Sequence, residues 1–361
     1  MKICFVGPAN SAHLFKWCSW FSSHGHEVHV ISFSPGEIPE TQIHLINARV
    51  KSEASDISKL KYLLTVKKIK QLLKLIQPDI VNAHYATSYG ITMALCGLKG
   101  YVLSVWGSDI YEFPRKSFFH RALLRFSLNK AGYLFSTSRV MAKEASQYTK
   151  RHFEITPFGV DMNLFTPLKR SRTTKEEFIV GTVKGLDDKY GIRYLLEAVA
   201  VVMKKGDIPI KLRIAGKGSQ ELKYRELAND LGIAKITKWL GFISQEEAAI
   251  EWANMDVAII PSIAESFGVA AIEAQACGTA LIISDAPGLM EVTNPGETSM
   301  VVKRDESEEI ALAIEELYKN ENRRHAMEFK GLDFVREHYE LHSCFQHIET
   351  CFLEYVSSKG C

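Results

Sequence analysis

The sequence predicts an α/β protein of two doubly wound, parallel-sheet domains facing each other across a cleft. Three observations carry this. The chain has 361 residues, enough for two domains of ordinary size. Short apolar runs alternate with amphipathic stretches in both halves, the pattern of strand–helix–strand units. Between the halves, residues 163–176 hold Pro167 and then a polar run rich in Lys and Arg, with little to bury.

Taken in order, residues 3–6, 28–32, 80–83, 102–105 and 133–135 read as buried strands of the first half. Residues 11–22, 59–75 and 118–129 read as the helices between them. The second half repeats the scheme. Its strands fall at 178–183, 210–214, 257–260 and 280–283, and its helices at 192–204, 220–231, 246–253, 268–276 and 308–319. The domains are placed at 1–165 and 166–340, with a terminal helix from about 341 to 361 packing back on the first.

Composition narrows the class. Apolar residues make up 46%, which fills two cores, and no run of 18 apolar residues offers a membrane-spanning helix. Residues 1–7 are too short in their apolar part for a secretory signal and read as a first strand. The seven cysteines are scattered, with no Cys-x-x-Cys pair, arguing against a zinc site or disulfide framework and for a reducing cytoplasm. Net charge is +2, but residues 1–160 hold 20 Lys and Arg against 10 Asp and Glu, so the first half is basic and the second acidic. That asymmetry points the first half at an anionic partner.

The most informative stretch is 261–277. Glu265 and Glu273 stand eight apart with Gly268 between them, after an apolar strand and into a helix. The spacing puts one carboxylate in the strand-to-helix loop and the other about two turns along the helix, roughly 12 Å of rise away. The amides of Ser266, Phe267, Gly268 and Val269 lie between, a seat for phosphate at a helix N-terminus. Carboxylates accept paired hydrogen bonds from vicinal hydroxyls. A ligand with a diphosphate in its middle and a diol at each end fits, and a nucleotide-sugar is such a ligand. Lys184 and Lys189 follow a strand and precede a helix, where fixed cations would stabilise a departing diphosphate. In the first half His13, His84 and Asp109 fall at strand ends expected to face the cleft, where His13 and Asp109 are candidates for catalytic roles. Gly216-Lys-Gly218 is half of a dinucleotide fingerprint, but Glu221 stands where the third glycine belongs. Among the second half's turns, Gly241 and Ile243 flank Phe242. No Asp-x-Asp triplet occurs, so no metal site is expected in the reaction and the lysines favour metal-free chemistry.

Several pieces in order resemble retaining glycosyltransferases of family 4, with the GT-B fold. The Glu-x7-Glu segment from Pro261 to Thr279 resembles their donor signature. The segment from Gly25 to Ile31 resembles the second strand of their first domain, and Trp106 to Asp109 resembles their His-Gly-x-Asp loop, with Trp106 in place of the histidine. Pro157 to Asp161, with Phe165 and Pro167, resembles the Gly-Val-Asp segment before the linker, and Ala280 to Gly288 the strand and loop after the donor helix. In the Gly181–Gly191 stretch the first basic residue is offset by one from the family's form, and Tyr190 follows Lys189 where a glycine is usual.

The resemblance implies a metal-independent, retaining hexosyltransferase without a cofactor. The second domain would bind an NDP-sugar, UDP first and GDP second, and the first a saccharide or lipid-linked saccharide acceptor, as in cell-surface polysaccharide or glycoconjugate synthesis. Glu265 would hold the sugar, Glu273 the ribose, Gly216 a tight turn near the base, and Gly241 with Ile243 main-chain contacts to the base. Basic amphipathic stretches at 59–74 and 115–130 add an anionic membrane surface as a partner, and so a cytoplasmic protein peripheral to the membrane. Nucleic acid is not expected as a partner. An epimerase, a phosphorylase, a nicotinamide-dependent oxidoreductase and a non-catalytic sugar-nucleotide binder remain alternative readings.

Overall fold

The computed structural model describes residues 1–46, 56–171 and 176–359, the side chains of 56–64 and 359 excepted. The expected linker therefore lies partly outside the described residues, as do the side chains of Lys59 and Lys61.

The first sheet has seven parallel strands: β1 (Lys2–Val6), β2 (Glu27–Ser32), β3 (Thr41–Leu45), β4 (Ile80–His84), β5 (Val102–Val105), β6 (Tyr133–Ser136) and β7 (Glu154–Ile155). Their order is β3-β2-β1-β4-β5-β6-β7. The chain builds outward from β1 to β3, then returns to place β4 against β1. That reversal is a topological switch point, and ligands of such sheets bind outside the carboxyl ends of the strands there. Ile3 to Val6 are fully buried because helices cover both faces of a parallel sheet.

The second sheet has six parallel strands: β8 (Phe178–Val183), β9 (Ile210–Ala215), β10 (Thr237–Gly241), β11 (Val257–Ile260), β12 (Ala280–Ser284) and β13 (Met300–Val302), in the order β10-β9-β8-β11-β12-β13. Its switch point lies between β8 and β11. The core here packs β8 and β9 against the Ile192–Lys205 and Ser307–Lys319 helices through Val180, Leu212, Leu196 and Ile314.

Four strands escape the sequence pattern. β3, β7, β10 and β13 form the sheet edges, are short, and consist mostly of half-buried residues rather than a continuous buried run. So does the Glu321–His338 helix, whose buried face includes Arg324, Glu328 and Gly331 and so lacks a clean apolar stripe. Arg324 donates to the Leu317 carbonyl at 2.5 Å and its guanidinium lies over Phe178.

Contacts divide the chain into one unit of Met1–Pro157 with the residues from Phe345 onward, and another of Phe158–Cys344. The division precedes the polar linker because Phe158 packs on Phe267, and Val160 pairs with Glu340. The Leu341–Lys359 helix carries the chain back to the first unit, where Phe345 and Phe352 pack on Trp17 and Phe21. Among the described residues no helix is long and apolar enough to cross a membrane.

Candidate active site

In the second unit the loops after β8 and β11 bring two opposite charges together at the switch point. Lys184, the residue after β8, places its Nζ 2.5 Å from Glu265 Oε2, and both side chains are about one-eighth exposed. Ser262 Oγ lies 3.4 Å from the same oxygen. The loop carrying Glu265 is fixed from three sides. The Lys189 carbonyl accepts from the amides of Ile263 and Ala264, at 2.9 and 3.2 Å. Ser284 Oγ donates to the Ser262 carbonyl at 2.5 Å. Gly288 abuts the loop so closely that a Cβ there would meet the Glu265 carbonyl at 2.5 Å.

Lys189 thus has a main-chain role as well as an exposed ammonium. That ammonium lies 5.3 Å from the centre of the Tyr190 ring, and the Lys184 ammonium 4.7 Å from it. One aromatic face therefore attracts both cations. Sequence reasoning noted Tyr190 only as a departure from a pattern; its platform role needed the fold.

The helix after Glu265 spans Val269–Ala276 and is capped by Gly268 at φ 94°. This corrects the spacing read from the sequence. Residues 265–268 are loop, so Glu273 lies in the second helical turn, about 6 Å of rise from Val269. Ser266 and Val269 are half-buried, whereas the Phe267 side chain is buried between Phe158 and Tyr339 as an anchor. The first intrahelical bond runs from Ala271 N to Gly268 O, so the amides of 269 and 270 precede it.

Gly216 is explained by close main-chain approach, and Gly241 by its left-handed backbone at φ 68°. Gly216 sits at φ 134° and donates to the Gly241 carbonyl at 2.6 Å, and a Cβ on it would strike the Lys184 carbonyl at 1.9 Å. The absence of a side chain at Gly216 therefore sets the position of the Lys184 loop. Ile243 is half-buried beyond the end of β10, beside an exposed Phe242.

In the first unit the ends of β1, β4 and β5 gather a ring cluster. His84 is fully buried, with ring centroids 4.6 Å from Trp106, 4.9 Å from Trp17 and 5.5 Å from Phe5. Neither of its ring nitrogens has a hydrogen-bond partner among the described residues. Burial, reinforced by the neighbouring His13, pulls its pKa down to about 3. His13 packs edge-on to Trp106 at 5.7 Å, and burial followed by the Lys16 charge lowers its pKa to about 4. Both imidazoles are neutral at physiological pH. The tryptophan that replaces a histidine of the resembling loop thus packs between two other histidines.

Asp109 is 1% exposed and faces the protein interior, not an open strand end. Its Oδ2 accepts from Ala86 N at 2.8 Å, and its Oδ1 from Gly107 N at 2.8 Å and Trp106 N at 3.2 Å. Burial raises its pKa against the pull of those amides. The carboxylate fastens the loop after β4 to the loop after β5.

Comparison with known proteins agrees with this architecture. Residues 2–138 match the family described as Glycosyl transferase 4-like, and residues 167–332 that described as Glycosyl transferases group 1. A D-inositol 3-phosphate glycosyltransferase of Pseudarthrobacter chlorophenolicus is 30% identical over 202 residues, 52% of this chain and 47% of its own length. The match therefore spans about half of that relative. The putative glycosyltransferase EpsD of Bacillus subtilis is 24% identical over 382 residues, 97% of this chain and 98% of its own. Among solved structures, sucrose-phosphate synthase from Thermosynechococcus elongatus superposes with a TM-score of 0.83 at 17% identity, over 99% of this chain and 100% of that one. HepE of Anabaena in complex with UDP gives 0.81 at 18%, over 98% and 100%. By its matched families and by its fold, the chain belongs to the glycosyltransferase 4-like family of GT-B proteins.

Proposed function

We propose that the chain transfers a sugar from a nucleoside-diphosphate sugar to a hydroxyl of a saccharide or lipid-linked saccharide, with retention and without a catalytic metal. The observation that supports this most is the Lys184–Glu265 pair between β8 and β11, just ahead of the Val269–Ala276 helix. In this reading the anomeric C–O bond to the diphosphate breaks as the acceptor oxygen bonds to the same carbon. The acceptor's proton passes to the departing phosphate oxygen. Lys184 and Lys189 neutralise the charge growing on the diphosphate, with the Tyr190 ring holding both ammoniums in place. Amides from Ser266 to Val269 receive the diphosphate, Glu273 the ribose, and Gly241 with Ile243 the base. Both Glu265 contacts described above fall on Oε2, which leaves Oε1 to hold a sugar hydroxyl. Asp109 acts as a positioning residue for the Trp106 loop, and His13 stands beside it to orient the acceptor. UDP is the first choice of nucleotide. HepE, which shares the fold, is described in complex with UDP and with UDP-glucose.

Thermal-shift measurements against UDP-, GDP-, ADP- and dTDP-sugars test the donor, since a bound ligand raises apparent stability by mass action. UDP-sugars are expected to give the largest shift. Glu273→Ala weakens that shift, and Glu265→Ala abolishes transfer while the fold persists. Wild-type turnover by Glu265→Ala would remove the central residue from the mechanism. Transfer that persists in a chelator supports metal-free chemistry, and its loss, restored by a divalent cation, overturns it.

A further inference from the structure

The Leu341–Lys359 helix meets the edge strand β7 at a cluster that the donor chemistry does not use. Glu154 on β7, with His347 and Cys351 one turn apart on the helix, brings a carboxylate oxygen, an imidazole nitrogen and a thiol sulfur within 4.8 Å of one another. His347 Nε2 lies 3.1 Å from Glu154 Oε1 and 3.8 Å from Cys351 Sγ. One nitrogen therefore faces both other groups. Protonated, it donates to the carboxylate and has no lone pair left to receive the thiol proton. Unprotonated, it receives that proton but turns its lone pair on the carboxylate. A single cation among them would receive all three ligand atoms.

The separations suit a particular ion. Zinc binds oxygen and nitrogen at about 2.0–2.1 Å and thiolate sulfur at about 2.3 Å, usually in a tetrahedron. The edges of that tetrahedron are then roughly 3.3 Å between nitrogen and oxygen and roughly 3.6 Å between nitrogen and sulfur. Both observed distances fall within about 0.3 Å of these. We propose that Glu154, His347 and Cys351 bind a zinc ion that fastens the terminal helix to β7, with water in the fourth position.

The surroundings agree. Cys351 is 4% exposed, so the sulfur is held inside the helix–strand contact. The Tyr133 hydroxyl bonds to Glu154, so it would steady the ligating carboxylate from outside. Binding displaces the thiol proton, giving one proton released per ion. Imidazole with thiolate selects zinc over magnesium. Only His-x3-Cys is local in the sequence. Glu154 lies 193 residues from His347, so the absence of a Cys-x-x-Cys pair did not bear on this site.

The experiment uses the full chain, stripped with a chelator, dialysed, and titrated separately with zinc, cobalt and magnesium salts. Expected are one equivalent of zinc bound with a rise in Tm, a thiolate-to-cobalt charge-transfer band, and no response to magnesium. His347→Gln, at a side chain nearly half exposed, keeps the fold and weakens zinc binding by about 100-fold or more. Cys351→Ser removes the cobalt band. Absence of stoichiometric zinc binding by the wild type, or binding as tight in His347→Gln, overturns the site. These readouts are independent of sugar transfer.

Discussion

His84 is the residue whose setting makes the sharpest prediction. Its imidazole is enclosed by Phe5, Trp17 and Trp106, and Gly7 lets β1 approach it: a Cβ on that glycine would lie 3.3 Å from the His84 Cβ. In the folded chain it stays neutral down to about pH 3, while in the unfolded chain it takes a proton below its ordinary value of 6.5. The unfolded state therefore binds more protons between those limits. Stability is fully present above pH 6.5 and falls as pH drops toward 3, by up to about 1.4 kcal/mol per pH unit from this group. Denaturant unfolding between pH 7 and 5, followed by tryptophan fluorescence, checks this against His84→Phe, whose curve is expected to be flatter by about that slope. Parallel curves would exclude a buried neutral imidazole. At the same scale, Asp109 and Lys189 differ from what their types suggest. One binds three backbone amides, and the other acts through its carbonyl as well as its charge.

At the scale of elements, the donor-side loops are held by glycines whose side-chain-free surfaces let main chains touch. Gly191 caps the Ile192–Lys205 helix at φ 67°, and a Cβ there would stand 2.0 Å from the Pro261 carbonyl. Gly191→Ala therefore strains the backbone and pushes the Glu265 loop away from Lys184. The expected loss is about 1 kcal/mol or more of stability, with weaker donor binding, measured by urea unfolding and thermal shift. Wild-type stability and donor response together would show that the loop yields freely. The main helices and inner strands were legible from periodicity, because their buried faces are continuous apolar runs. β3 and β7 were not, since β3 has no fully buried residue and β7 is only two residues long. The Glu321–His338 helix was hidden because its buried face uses Arg324 and Glu328, whose partners include the Leu317 carbonyl and Arg170 outside the helix.

For the whole molecule, the uneven distribution of charge matters more than its near-zero sum. In the Asp56–Ile76 helix, Val66, Ile69, Leu73 and Ile76 enter the core, while Lys67, Lys68, Lys70 and Lys74 face solvent. That helix has an ordinary amphipathic division. The Phe118–Lys130 helix is different: Phe118 is 76% and Phe119 66% exposed at its start, beside exposed Arg115, Lys116, Arg121 and Arg125. Exposed aromatics among cations are the composition of an interfacial anchor. The expected outcome is co-sedimentation with vesicles containing anionic lipid, little with neutral vesicles, and reduction of binding by Phe118→Ser with Phe119→Ser. Absence of binding to either vesicle type would remove the membrane from the partners, and equal binding to both would remove its charge.

The sequence by itself determined two parallel α/β units and the stretch that carries Glu265, Gly268 and Glu273, because hydrophobic period and helix-start chemistry are local properties of a chain. Tertiary structure decided the rest. It paired Lys184 with Glu265 across 81 residues, set Tyr190 under two ammoniums, closed Asp109 onto backbone amides, and gathered Glu154 with His347 and Cys351. The Lys184–Glu265 and Asp109 contacts depend on which strands lie side by side in a crossover sheet, and strand order leaves no trace in the local pattern of residues.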